Sequence, residues 1–252
     1  MKPSSLVGDF LDLFLPRGCL GCGDRLPPEE PEDLVCARCR TLLRAPTPPR
    51  CPRCDVPQGT GQPPGATCLE CADWPEILVS ARAAVVMEPP ADALVHALKY
   101  GGWSLLGEMM GCRMAAVCPP MGSESLVIPI PTTSRRRRLR GYNQARVLAE
   151  VVARELGIPL VEVLDRPKGG TQVRLGPRER RSNVQGSFRV IPSLCSRIQG
   201  LRVILVDDVL TTGATALSAA LALGGKGAES VHLLTFARAL PFGIEGRRAP
   251  SG

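Results

Sequence analysis

The stretch Val203-Ile-Leu-Val-Asp207-Asp208-Val-Leu-Thr211-Thr212-Gly213-Ala214-Thr215 sets a continuous apolar run ahead of two adjacent acids and a small, hydroxyl-rich turn. Such a run suits a strand covered on both faces, and the turn suits the opening of a helix. The first N–H groups of a helix are unpaired donors at the positive end of its dipole, so an anion is favoured there. Thr211, Thr212, Gly213, Ala214 and Thr215 could wrap a phosphate with backbone N–H groups and hydroxyls, Gly213 letting the backbone approach closely. Two carboxylates beside that cradle would repel the ligand unless they faced hydroxyls or a metal. A sugar diol or a hydrated Mg²⁺ therefore belongs over Asp207 and Asp208, and ribose 5-phosphate has that shape. A helix start with acidic capping residues is the bland alternative. It accounts less well for paired acids at a buried strand's end followed by Thr-Thr-Gly-x-Thr.

The second chemical signal lies at the other end of the chain. Eight of the eleven cysteines form four Cys-x-x-Cys pairs, Cys19/Cys22, Cys36/Cys39, Cys51/Cys54 and Cys68/Cys71. The last four follow the first four at a constant offset of 32 residues, and 13 residues separate the pairs within each unit. This is a duplication, at the spacing with which two knuckles supply four sulfurs to one Zn²⁺. Each unit is rich in Pro and Gly and poor in large apolar residues, so zinc–sulfur bonds would stand in for a core. Arg38, Arg40, Arg44, Arg50 and Arg53 lie among the ligands, yet zinc as a staple of the fold is preferred to a direct contact role. Cys112 and Cys118 read as buried small hydrophobes, and His96 and His232 as packing or surface histidines.

These residues must be carried by something larger. At 252 residues and 44% hydrophobic the chain can build one α/β core and a smaller satellite. The boundary is expected near residues 74–75, giving a cysteine-rich unit over 1–75 with a short N-terminal helix, a larger domain over 76–240, and a disordered tail over 241–252. The net charge of +7 is concentrated in the larger part, which should attract anions. Strands are expected at 83–87, 126–130, 160–164, 202–206 and 230–236, and helices at 91–100, 103–118, 144–156 and 215–223. This alternation calls for a mostly parallel sheet with right-handed crossovers. No secretion signal or uncharged apolar run of about 20 residues is read, so a cytoplasmic chain with reduced thiols and no membrane insertion is expected.

The acidic strand and its threonine turn closely resemble the phosphoribosyl-pyrophosphate motif of the type I phosphoribosyltransferases. Further landmarks resemble the ComF/GntX family over nearly the whole chain. They are His96-Ala-Leu-Lys99-Tyr100-Gly-Gly, Ile128-Pro-Ile-Pro before the arginines of 135–138, Arg140-Gly-Tyr-Asn143-Gln144, then Gln172, Leu175, Arg180, Asn183, Gly186 and Phe188. Leu139 stands where a polar residue is commoner in that pattern. The resemblance implies a type I phosphoribosyltransferase sheet behind a double zinc ribbon, with two structural Zn²⁺ ions and Mg²⁺ held together with phosphoribosyl pyrophosphate (PRPP). It implies that Asp207 and Asp208 hold the ribose hydroxyls and favour the sugar cation, that Thr211 to Thr215 take the 5′-phosphate, and that Lys99, Arg136 and Arg140 meet the pyrophosphate. Arg180, with Arg174, Arg178 and Arg181, would sit in a loop that closes over the site on Gly169, Gly170 and Gly176.

Two functions then compete. The first is transfer of phosphoribose to an acceptor such as a nucleobase, with Asp207, Asp208 and Arg180 as catalytic groups. The second is nucleotide sensing or the handling of single-stranded DNA in competence, in company with competence-machinery proteins. There the arginines of 135–138 with Arg140 would grip a nucleic-acid backbone. Aromatic residues make up only 4% of the chain, little material for a stacking groove.

Overall fold

The computed structural model describes residues 18–26, 34–59, 63, 65–166 and 187–241. The N-terminal helix, the tail beyond residue 241 and the loop arginines of 167–186, Arg180 among them, lie outside the described residues.

A single four-stranded sheet organises the chain. Its strands are β1 (Leu78–Val86), β2 (Ser125–Pro129), β5 (Arg202–Leu210) and β6 (Ser230–Arg238), all parallel, in the order β1-β6-β5-β2. A small antiparallel pair, β3 (Leu164–Asp165) with β4 (Arg189–Val190), stands apart from it. Before β1 comes α1 (Ala37–Leu42); between β1 and β2 lie α2 (Ala91–Tyr100) and α3 (Leu106–Ala116). After β2 come α4 (Ser134–Arg140) and α5 (Gln144–Leu156), and α6 (Ala214–Gly224) joins β5 to β6.

Alternation along β5 sends its apolar side chains to two cores. Val203 and Leu205 join α6 on one face, while Ile204 and Val206 join α2, α3 and α5 on the other. Period-two side chains in a parallel sheet covered on both faces produce this three-layer arrangement. The ribbons divide between the same two faces. Cys19 and Cys39 belong to the core under α2, α3 and α5, whereas Cys51, Cys54, Cys68, Cys71 and Trp74 belong to the core under α6. The ribbons also seal the outer edge of β1, which would otherwise present unpaired N–H groups. Ala81 N donates to Arg53 O at 2.7 Å, Ala83 N to Asp55 Oδ2 at 3.2 Å and Val86 N to Arg44 O at 2.8 Å.

Several elements differ from the expected ones. β1 starts five residues before the expected 83, because Arg82 and Ser80 hide a strand whose pairing with β6 and ribbon backbone is tertiary. β5 runs through Asp207 and Asp208 to Leu210, since Asp207 pairs with Thr235, Val209 with Ala237 and Leu210 with Arg238. The acids therefore sit inside the strand rather than at its end. Residues 160–164 give only a single bridge from Leu160 to Val127 before β3. Helix α4, which was not anticipated, is held by Thr133, whose Oγ1 accepts from Arg136 N, and by Gly141 at φ 82°. Cys112 and Cys118 are partly exposed rather than fully buried.

Candidate functional site

From β2 the chain moves outward through α5 to Leu160, and from β5 it moves the opposite way through α6 to β6. The two helices cover opposite faces, so a crevice opens at the carboxyl ends of β2 and β5, the usual ligand position in an open parallel sheet. A cavity of about 380 Å³ occupies it. Its walls bring together Lys99, Arg136, Arg140, Asp207, Asp208, Thr211 and Thr215 from the expected set.

One end is the threonine turn. Gly213 caps α6 in the left-handed conformation at φ 79°, and a Cβ there would lie 3.2 Å from Cζ2 of Trp74 and 3.6 Å from Leu210 Cδ1. Only glycine fits both demands. Leu217 N donates to Gly213 O at 2.8 Å, which leaves the N–H groups of Thr215 and Ala216 without intrahelical acceptors. Thr211, Thr212, Gly213, Ala214 and Thr215 line a smaller cavity of about 40 Å³ that also touches Asp207.

The acids form the floor. Asp208 N donates to Asp207 Oδ1 at 2.9 Å, and Asp208 Oδ1 lies 3.1 Å from Lys99 Nζ. Burial, then the neighbouring Asp208 charge, raise the Asp207 carboxyl from its ordinary value of 3.8 to about 7, against the opposing pull of the Asp208 N–H and of Lys99 and Arg166. A cation placed over the pair would restore its ionisation.

The facing wall is basic. The segment after β2 is pinned by Asn143 Nδ2, which donates to Ile130 O at 3.1 Å, and by Tyr142 Oη, which donates to Leu98 O. Arg140 Nη1 donates to Gln144 Oε1 at 3.0 Å, and its guanidinium lies 4.7 Å from the Tyr100 ring centroid. Of the arginine run, Arg136 enters the cavity, Arg137 lines an adjoining cavity of about 400 Å³, and Arg135 and Arg138 are exposed and line neither.

Two contributors escaped the sequence reading. Arg166 lies in the wall, its guanidinium 5.1 Å from the Phe188 ring. Burial, then Arg136, lower its pKa, while Asp207 supports its charge. Nothing in its local sequence marks it; only the β3–β4 pairing brings it there. Gln144 was a family landmark without a role. It is buried against the cavity, and its Nε2 has no partner among the described residues, a donor free for a ligand oxygen.

The eight cysteines form two separate sets, Cys19, Cys22, Cys36, Cys39 and Cys51, Cys54, Cys68, Cys71, each with its sulfurs within 4.8 Å of one another. Sulfurs lie 3.9 Å apart for Cys22 and Cys36, 3.6 Å for Cys51 and Cys71, 3.3 Å for Cys54 and Cys68, and 3.7 Å for Cys68 and Cys71. A tetrahedron with Zn–S bonds of about 2.3 Å has edges of about 3.8 Å, so the donor sets fit zinc. Backbone N–H groups of Gly21 and Cys36 point at Cys19 Sγ, both at 3.3 Å, and Cys68 N at Cys51 Sγ at 3.5 Å. Such donors favour thiolates. Among the described residues no helix is long and apolar enough to cross a membrane.

Comparison with known proteins agrees with this architecture. Residues 143–247 match the phosphoribosyl transferase domain family, and residues 10–72 match the double zinc ribbon domain family. The DNA utilization protein YhgH of Salmonella typhi is 31% identical over 218 residues, covering 82% of this chain and 91% of that protein. Competence protein ComFC of Bacillus subtilis is 27% identical over 223 residues, covering 83% and 86%. Among solved structures, glutamine PRPP amidotransferase from B. subtilis aligns with a TM-score of 0.38 at 16% identity, over 55% of this chain and 30% of that one. With the ribbon and transferase domains in this order and a relative matched over nearly its whole length, the chain belongs to the ComF/GntX family.

Proposed function

We propose that the crevice between β2 and β5 binds PRPP with Mg²⁺ and transfers its phosphoribosyl group to an acceptor such as a nucleobase. The observation that carries this reading is the convergence of paired acids, a threonine turn and four cations on one cavity. Asp207, Asp208, Thr211 and Thr215 line it together with Arg136, Arg140 and Arg166, and Lys99 bridges the two sets with its Nζ 3.1 Å from Asp208 Oδ1. Thr211 to Thr215 take the 5′-phosphate, Asp207 and Asp208 take the ribose hydroxyls, and the basic wall with Gln144 Nε2 takes the pyrophosphate oxygens. In the reaction the bond from ribose C1 to pyrophosphate breaks and its electron pair leaves with pyrophosphate. A lone pair of the acceptor nitrogen forms the new bond to C1, and the acceptor's N–H proton is released to solvent. The acids favour the cationic sugar and the arginines the departing charge. Bound Mg²⁺ would share in neutralising the pyrophosphate. The ribbons hold zinc as structural staples, in a cytoplasmic setting that keeps their thiols reduced.

The double substitution Asp207→Asn/Asp208→Asn tests this. Calorimetry with PRPP and Mg²⁺, beside pyrophosphate release over a panel of bases, should give binding and turnover in the parent and neither in the variant. Full turnover in the variant sinks the proposal. Stability supplies a second readout. Asp207 has a folded pKa above its unfolded value, so its contribution falls as pH rises from about 4 to about 7. Asp207→Asn alone should therefore leave the ligand-free protein unchanged near pH 4 and stabilise it by roughly 2 kcal/mol at pH 8, a value discounted for partial exposure.

The second reading, a nucleotide-sensing or single-stranded-DNA-handling role beside competence proteins, is favoured by exposed Arg135 and Arg138, which face neither cavity. The relatives' names, DNA utilization protein and competence protein, point the same way. Single-stranded DNA binding that survives Arg135→Ala/Arg138→Ala, with an unchanged salt slope, removes this contact.

A further inference from the structure

Arg238 closes β6 and is 2% exposed, the one buried cation among the described residues. Its Nη2 lies 3.7 Å from Cys54 Sγ, while Nε and Nη1 meet no partner among the described residues. A guanidinium keeps its charge and carries five N–H donors, so it demands a counter-charge when buried. The group it touches is the second set of four cysteines. Four thiolates around a divalent ion carry a net charge of about −2 spread over the sulfurs. The same sulfurs, packed this closely without an ion, cannot all stay ionised. Metal and guanidinium thus each supply what the other lacks.

The geometry points to Arg238 as an outer-sphere partner of the second zinc centre, and to that centre as the brace of the threonine turn. Two lines lead from the cluster to residues 210–213. Arg238 pairs in register with Leu210, and Ala239 N donates to Leu210 O at 2.9 Å. Trp74, three residues beyond Cys71, lies against Gly213, where an added Cβ would come within 3.2 Å of its Cζ2. The first ribbon holds to α3, where Arg113 Nη2 donates to Arg40 O at 2.8 Å, and the segment after it holds to the end of β1, where Val86 N donates to Arg44 O at 2.8 Å; neither bond involves residues 210–213 directly. The outer-sphere role rests on the zinc assignment alone; the consequence for ligand binding rests also on the PRPP reading.

The test uses the full-length, zinc-loaded chain. Zinc release to a competing chelator is followed for the parent, Arg238→Met and Arg238→Lys, each also in a Cys22→Ser background that isolates the second site. Arg238→Met should weaken that site about 10- to 100-fold, the usual range for a lost outer-sphere partner, and Arg238→Lys should restore most of the loss. With Co²⁺ in place of zinc, the thiolate charge-transfer bands of the second site should move in Arg238→Met. Equal second-site affinity in parent and Arg238→Met overturns the inference. If Arg238→Met fails to fold, Arg238→Gln, which keeps a donor but not the charge, decides it: second-site affinity equal to the parent's overturns the inference, and a loss that Arg238→Lys does not show supports it. In the parent, amides of 210–216 should exchange at least tenfold faster after loss of the second zinc, and at an unchanged rate after loss of the first. Unchanged exchange after both losses overturns the brace without touching the PRPP reading. Absence of PRPP binding in the fully loaded parent overturns that reading and leaves the brace standing.

Discussion

The first ribbon leaves Cys22 exposed and Cys36 half-buried, whereas the four cysteines of the second are all at or below 6% exposure, although the two units share one spacing at an offset of 32 residues. The difference comes from what each unit meets. The first lies by α2 and α3, against the core that Val85, Leu94 and Met110 share. The second is driven into the other core beside α6, where Arg53 donates to the carbonyls of Cys71, Trp74, Pro75 and Leu78. Spacing fixes the metal geometry, and tertiary partners fix how far the metal is shut off from solvent. A shared motif has therefore yielded one cysteine set partly open to solvent and one enclosed in the core beside α6.

The largest effect should separate the two centres outright. Structural zinc contributes on the order of 10–16 kcal/mol, as much as a whole domain's net stability of about 5–15 kcal/mol. Cys54→Ser leaves a buried defect with no water to heal it, and its product should accumulate as aggregate. Cys22→Ser alters an exposed ligand and should give soluble protein with about one zinc by mass spectrometry. A Cys54→Ser protein as soluble and as cooperative in unfolding as Cys22→Ser would erase the contrast.

A paired glycine experiment sharpens it. In Gly213→Ala the new methyl sits at φ 79° against Trp74, and left-handed strain of about 1–2 kcal/mol adds to that contact. PRPP affinity should fall at least tenfold with both zinc ions retained. In Gly21→Ala the methyl would come within 2.9 Å of Cys39 Sγ, so the first zinc should be lost and PRPP affinity kept. Calorimetry and metal content on the two variants should show this crossed pattern. Loss of PRPP binding in Gly21→Ala would mean that the ribbons act as one unit.

The parts of the molecule legible in the sequence are those written in local pattern. Helices α2 and α5 fall on the expected 91–100 and 144–156 because their apolar stripe and terminal glycines are local signals. The two sulfur sets follow from spacing alone. The threonine turn and the acids were readable because a buried strand, paired charges and a glycine stand side by side. Arg166 was not readable, since a lone arginine after a two-residue strand carries no signal until β3 and β4 pair. The start of β1 was missed for the same reason, its edge being completed by ribbon backbone at Arg53 and Arg44. Arg238 looks like an ordinary strand-end cation, and only the second ribbon's position makes it a buried one.

The smallest effect concerns the tether of the first ribbon. Arg113 Nη2 donates to Arg40 O, at the end of the short helix that Cys36 caps with its sulfur. Arg113→Ala removes one charge-assisted bond at a partly exposed position, worth about 1 kcal/mol, and a chain of this size should lose about 2–4 °C in Tm. The loss should fall on one side of the molecule. The first zinc should pass to a chelator several-fold faster, while release of the second zinc and the heat of PRPP binding stay as in the parent. An Arg113→Ala protein that sheds both ions at equally increased rates would show that α3 and the sheet carry strain between the ribbons, and that their different burial does not insulate one centre from the other.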